Sequence, residues 1–178
     1  MKKLKVALLV LFVIGFTSIY GQGRVNYEKY GRTLNLGLGI GGYAGYYGYV
    51  GTLIPVIHAN YEFDVASSFT IAPFITFYTH RHNDYSETVV PIGVKGTYYF
   101  DRIFMANPKW DFYLGASLGL ALRSTRWNSG FIGDRDSYKM GRPLFLDLHL
   151  GAEYHLSNKL GIFIDLTSGV STIGLAIH

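Results

Sequence analysis

The sequence predicts an all-β protein, an eight-stranded antiparallel up-and-down transmembrane β-barrel. Three observations predict it: eight stretches in which every second residue is apolar, few charges on the opposite parity, and connecting segments that alternate in length. In residues 144–156, Leu144, Leu146, Leu148, Leu150, Ala152, Tyr154 and Leu156 share one parity. Phe145, Asp147, His149, Gly151, Glu153 and His155 share the other. A helix, repeating every ~3.6 residues, would mix these sets, whereas a strand keeps them on opposite faces. The stretch also exceeds the usual five or six residues of a soluble strand and is long enough to cross a bilayer at a tilt.

The other seven strands follow in order. Residues 32–43 place Leu34, Leu36, Leu38 and Ile40 outward, against Asn35, Gly37, Gly39 and Gly41. Residues 54–63 place Ile57, Ala59, Tyr61 and Phe63 against His58, Asn60 and Glu62, and residues 69–80 place Phe69, Ile71, Pro73, Ile75 and Phe77 against Thr70, Ala72, Phe74, Thr76 and Tyr78. Residues 89–100 set Val90, Ile92, Val94, Tyr98 and Phe100 opposite Gly93, Lys95, Thr97 and Tyr99. Residues 110–123 set Phe112, Leu114, Ala116, Leu118, Leu120 and Leu122 opposite Tyr113, Gly115, Ser117, Gly119, Ala121 and Arg123. Residues 160–167 and 170–178 complete the set with Ile162, Ile164 and Leu166, then Ile173, Leu175 and Ile177. An even count is what closure of an antiparallel barrel requires.

Residues 1–21 read as a cleaved secretory leader: Lys2, Lys3 and Lys5, an apolar run from 6 to 16 too short to span a bilayer, then small and polar residues. Residues 22–178, roughly 155 after cleavage, suffice for one eight-stranded barrel domain. Of the formal net charge of +4, the three leader lysines supply three, leaving about +1. The basic balance therefore gives no reason to expect a nucleic-acid partner. The chain has no cysteine, which excludes disulfides and a cysteine-linked lipid anchor.

With the N-terminus in the periplasm, segments 42–52, 81–88, 124–142 and 168–169 face outward, and segments 64–68, 101–109 and 157–158 face the periplasm. Long outer loops and short inner turns are the outer-membrane pattern. Tyr61, Phe63, Phe69, Tyr98, Phe100, Trp110, Phe112 and Tyr154 lie on the outward parity near the periplasmic turns, where an interfacial girdle belongs. Tyr43, Tyr46, Tyr47, Tyr49 and Phe77 would form a looser one at the outer rim. A soluble lipocalin-type barrel would turn the apolar parity inward and carry charges outside. Here the polar parity is mostly Gly, Ser and Thr, a poor solvated surface.

These strands, with the turn Tyr154-His155-Leu156-Ser157-Asn158-Lys159-Leu160-Gly161, resemble the small outer-membrane β-barrel family typified by the OmpA transmembrane domain and OmpX. The resemblance spans nearly the whole mature chain. It implies a Gram-negative outer-membrane location reached through the periplasm, contact with outer-membrane lipid and lipopolysaccharide, assembly by the barrel-insertion machinery, a monomer, and no cofactor. Family members end in an outward aromatic read by that machinery, a place held here by Ile177 in the ending Ala176-Ile177-His178.

Eight strands enclose a space that side chains fill. Gly37, Gly39 and Gly41 are expected to make room for Phe74, Tyr78, Tyr99, Tyr113, Phe145 and Phe163. Counted from the periplasmic turns, His58, Lys95, His149, Glu153 and Asp165 fall at mid-barrel, Glu62 and His155 below them, and Asp147 and Arg123 above. Charges withdrawn from water must be paired, so these are read as a polar lumen network, with a gated or proton-sensitive pore as the alternative. The outer segment with Trp127, Phe131, Ile132 and Tyr138 is the candidate contact surface for an extracellular ligand or protein.

Other motifs carry less. Gly37-Leu38-Gly39-Ile40-Gly41-Gly42 fits a dinucleotide-type pattern, but no helix pattern follows it. His80-Arg81-His82 with Asp84 and Glu87 lacks a fixed metal-ligand set, so no metal site is assigned there. His155-Leu156-Ser157-Asn158 is similar to the His-x-Ser-Asn segment of lipid A deacylases, yet no glutamate follows it and it falls at a periplasmic turn. The reading is thus a non-enzymatic surface or structural barrel with no catalytic residue. The alternatives are a narrow channel for small solutes or apolar ligands and, third, a lipid A-modifying enzyme.

Overall fold

The computed structural model describes residues 30–41, 55–81, 84–101, 107–129 and 143–178. Eight antiparallel strands form one closed barrel in sequence order. They are β1 (Thr33–Gly41), β2 (Pro55–Ala66), β3 (Phe69–Arg81), β4 (Tyr85–Tyr99), β5 (Trp110–Trp127), β6 (Leu144–Ser157), β7 (Leu160–Thr167) and β8 (Val170–Ile177). The circle closes where β1 pairs with β8, from Leu34 opposite Ile177 to Gly41 opposite Val170. Closure matters because a bilayer offers no water to an unpaired strand edge.

The parity read from the sequence is the parity of the barrel. Leu38, Ile57, Leu146 and Leu148 are each more than half exposed, whereas Val56, Tyr78, Lys95, Phe145 and Asp165 on the alternate positions are buried. A soluble sheet would show the reverse, so the exposed belt is the lipid-facing surface. At the end holding Tyr30, His178 and the short turns, outward rings form a girdle. Tyr61 meets Phe63 edge-on at 4.8 Å, Trp110 stacks on Phe112 at 5.8 Å, and Tyr154 lies 4.9 Å from Trp110. Of the second girdle, Phe77 is exposed, and the four tyrosines lie outside the described residues, as does the leader.

Two turns at the girdle end show local constraint. Ser67-Ser68 joins β2 to β3 with Ser68 at φ 57°, and the β2–β3 register shifts between Asp64 and Ala66. A bulge absorbs the extra residue that the tight turn leaves over. A second shift falls between His155 and Ser157, at the β6–β7 turn, where the Ser157 hydroxyl accepts from the Lys159 N–H.

At the opposite end, among the described residues, β3, β4 and β5 extend furthest. Segment 81–88, expected as a loop, is largely strand: His80 pairs with Glu87 and Arg81 with Ser86. β5 runs on to Trp127, opposite Tyr85. Trp127, expected in a loop, is therefore the last residue of a strand, its ring 5.5 Å from Tyr85. Residues 124–127 carry no apolar stripe because this part of the ribbon lies beyond the belt.

Leu148→Arg puts a charge on the belt and should destabilise the barrel by about 2–4 kcal/mol, while Ser124→Arg, beyond the belt, should be near neutral. Denaturant unfolding in lipid vesicles distinguishes them.

Candidate functional site: the lumen and its two mouths

Large inward rings are packed against glycines of neighbouring strands. A Cβ on Gly119 would come within 2.5 Å of the Phe145 ring, one on Gly93 within 2.8 Å of Phe74, and one on Gly151 would run into the Tyr113 ring. The first strand contributes less than expected. Gly37 leaves room for Phe163 at 3.1 Å, but Gly39 faces the Ser171 carbonyl and Thr172. The rings needing space sit on strands distant from β1, and their own neighbours make room for them.

These rings form two apolar plugs. Val56, Phe74, Tyr78, Val89, Ala121, Phe145 and Val170 cluster on the side away from the girdle. Tyr30, Tyr99 and Tyr113 cluster on the girdle side, with Tyr30 stacked on Tyr99 at 4.0 Å. Tyr30 precedes β1 and is anchored beneath the barrel. Its backbone N–H donates to Asp64 (3.1 Å) and its hydroxyl to buried Asp101 (3.0 Å).

Between the plugs lies the main polar network. Lys95 Nζ stands 3.4 Å from Asp165 Oδ2 and 3.7 Å from Glu62 Oε1, all three buried. The ammonium also lies 5.0 Å from the centre of the Tyr113 ring, a cation–π contact. Glu62 accepts from the Tyr99 hydroxyl (2.7 Å), the Thr70 hydroxyl (2.6 Å) and the Asn35 amide (3.0 Å). His149 Nδ1 donates to Asp165 (3.1 Å), and its Nε2 is hydrogen-bonded with the Ser117 hydroxyl (2.9 Å). His58 joins through Thr76 (2.8 Å) and Asn60 (3.0 Å). Buried charges persist when their remaining lone pairs are satisfied in this way. Beside the network is a void of about 20 Å³, room for roughly one water.

The eight residues read as one lumen network are distributed over separate groups. His58, Glu62, Lys95, His149 and Asp165 converge. Arg123 pairs instead with Glu87 at 2.8 Å toward the end opposite the girdle, and Asp147 accepts from the Ser168 hydroxyl at 3.0 Å. Glu153 does not sit at mid-barrel with Lys95. Its partners are His178 (2.7 Å) and His155 (3.8 Å) at the girdle-side mouth. Counting from turns ignores the stagger between tilted strands, and long side chains reach across it. Glu87, Asp111, His178 and Tyr99 belong to these groups as well. Asp111, His178 and Tyr99 share the inward parity of their predicted strands, the signal the sequence offers for them.

At the girdle-side mouth, His155 Nε2 donates to Asp111 Oδ2 at 2.8 Å. His178, which follows β8, has its pKa raised by the hydrogen bond to Glu153 and by nearby carboxylates, against partial burial. The stability this pair adds is full below the ordinary imidazole value near 6.5 and is lost as pH rises through the raised one. The deacylase-like segment is not assembled as a triad. His155 faces two carboxylates, and Ser157 Oγ is engaged by Lys159 N–H. The dinucleotide-like glycines from Gly37 to Gly41 lie within β1. His80 packs 6.4 Å from Tyr85, and His82 lies outside the described residues.

At the mouth opposite the girdle, Trp127 is half-buried against Tyr85, and Phe131, Ile132 and Tyr138 lie outside the described residues.

No protein-family model and no curated protein matches the chain. Solved structures similar to it include the Neisserial surface protein A, NspA, with 15% identity over 82% of this chain and 94% of that one, at a TM-score of 0.49. The Yersinia pestis outer membrane protein Ail in a phospholipid bilayer nanodisc shares 8% identity over 82% and 97%, at 0.47. A de novo designed transmembrane β-barrel shares 16% over 84% and 98%, also at 0.47.

Lys95→Met should cost about 3–5 kcal/mol by stranding two buried carboxylates, and the triple change Glu62→Gln, Lys95→Met, Asp165→Asn should recover most of it. Chemical denaturation in micelles reads both. In an NMR titration the His178 ring should change charge above its ordinary value, and Glu153→Gln should bring the midpoint down.

Proposed function

We propose that this chain is a non-enzymatic outer-membrane barrel with a closed lumen, acting at the cell surface through its outer end. One observation carries the reading. The Glu62–Lys95–Asp165 network is sealed between two aromatic plugs, so the barrel's interior is spent on holding its shape. Nothing then passes through it, and contact is left to the two ends and the belt. The belt and girdle suit outer-membrane lipid, with lipopolysaccharide at the outer leaflet.

The outer end supports a surface role through the projecting ribbon of β3, β4 and β5. Its residues include His80, Arg81, Tyr85, Arg126 and Trp127, an aromatic and cationic set. Aromatic and arginine side chains are those that dominate protein contacts. An extracellular protein or ligand binding there would be recognised by this ribbon together with segment 130–142.

Purified barrel in planar bilayers should give no unitary conductance steps; regular ohmic steps would favour the channel reading. On intact cells, the fluorescence of a Trp110→Phe variant, which retains Trp127 alone, should be quenched by external iodide. A Trp127→Phe variant should resist it.

A further inference from the structure

The girdle-side mouth holds a second cluster that the closed lumen does not use. Glu153 and His155 are two apart on β6 and both turn inward, and His178 arrives from the end of β8. One ligand atom from each lies within 4.8 Å of the other two. We propose that Glu153, His155 and His178 form a binding site for a zinc-class divalent cation, with one coordination position open at the mouth of the barrel.

The separations fit. Ligands at ~2.1 Å from a tetrahedral zinc stand about 3.4 Å apart. Here Glu153 Oε1 is 2.7 Å from His178 Nε2 and 3.8 Å from His155 Nδ1, so the three atoms need move only a few tenths of an ångström to about one ångström.

The second observation is independent of those distances. Each imidazole has its far nitrogen already held, as metal-bound histidines do. His155 Nε2–H donates to the Asp111 carboxylate. Thr33 spends its own proton on the Tyr30 carbonyl (2.9 Å), so its oxygen accepts from His178 Nδ1–H (3.0 Å). Both hydrogen bonds turn the remaining nitrogen, Nδ1 of His155 and Nε2 of His178, toward Glu153. Two imidazoles and one carboxylate favour zinc, cobalt(II) or nickel over calcium or magnesium, which prefer all-oxygen sets. An ion here would tie β6 to β8 close to the seam with β1.

The test uses the full chain, folded in detergent micelles without an affinity tag, with cobalt(II) as the probe. One cobalt per chain should bind with visible absorption of tetrahedral or five-coordinate type, be displaced by zinc, and resist calcium. His155→Asn and His178→Asn should each weaken binding by at least tenfold, and Asp111→Asn by roughly 10–100-fold. The control pair His80→Asn, His82→Asn should leave it unchanged. Binding that survives His155→Asn and His178→Asn, or that is lost with the control pair, would overturn the proposal. Should a variant lose the heat-modifiable gel mobility of a folded barrel, carbethoxylation of the unsubstituted protein decides. Zinc should protect His155 and His178 but not His80, and equal labelling with and without zinc would overturn the assignment.

Discussion

Every backbone N–H and C=O that crosses the bilayer must find its partner inside the protein, and in this chain the β1–β8 pairing is what completes that account. Seven strand pairings can form hairpin by hairpin; the eighth joins segments far apart in the chain, from Leu34 opposite Ile177 to Gly41 opposite Val170. Once the circle is closed, the period of two forces alternate side chains into lipid or into the lumen. Everything placed inside then has to satisfy itself with what the other strands supply.

The lumen answers that demand in layers. Aromatic rings occupy space beside glycines of adjacent strands, and between the two ring layers the charges are paired and their lone pairs filled. Glu62 alone draws on β1, β3 and β4 through Asn35, Thr70, Tyr99 and Lys95. Such a network contributes less to net stability than its many contacts suggest, since desolvation offsets much of the Coulombic gain. It does penalise alternative registers, because a slip of one residue would turn Lys95 and Glu62 into lipid.

The strands and their facing were legible because lipid on one side and a small lumen on the other leave almost no freedom at any position. Leu144 to Leu150 could face only one way. What was not legible depends on stagger. Glu153 counts to the same height as Lys95 along its own strand, yet it meets His178, which has the inward parity of the last strand but is brought there by the closure of β8 on β1. Trp127 reads as loop from the sequence because residues 124–127 lose the apolar stripe, whereas the backbone pairing of β4 with β5 simply continues past the belt. The glycine partners were misassigned for a related reason: parity says that Phe145 points inward, but only the cross-strand register says that Gly119 is beside it.

The central claim is a barrel with lipid outside and a filled interior, and the absence of cysteine from the sequence makes it directly testable. Single cysteines placed in turn at Leu144, Phe145, Leu146, Asp147, Leu148 and Leu150 of β6, each spin-labelled in reconstituted bilayers, report collisions with oxygen and with a water-soluble nickel chelate. Labels at Leu144, Leu146, Leu148 and Leu150 should show high oxygen and low nickel accessibility, and those at Phe145 and Asp147 should be low in both. High nickel accessibility at the leucines would contradict the lipid-facing belt, and high nickel accessibility at Phe145 and Asp147 would contradict the closed lumen.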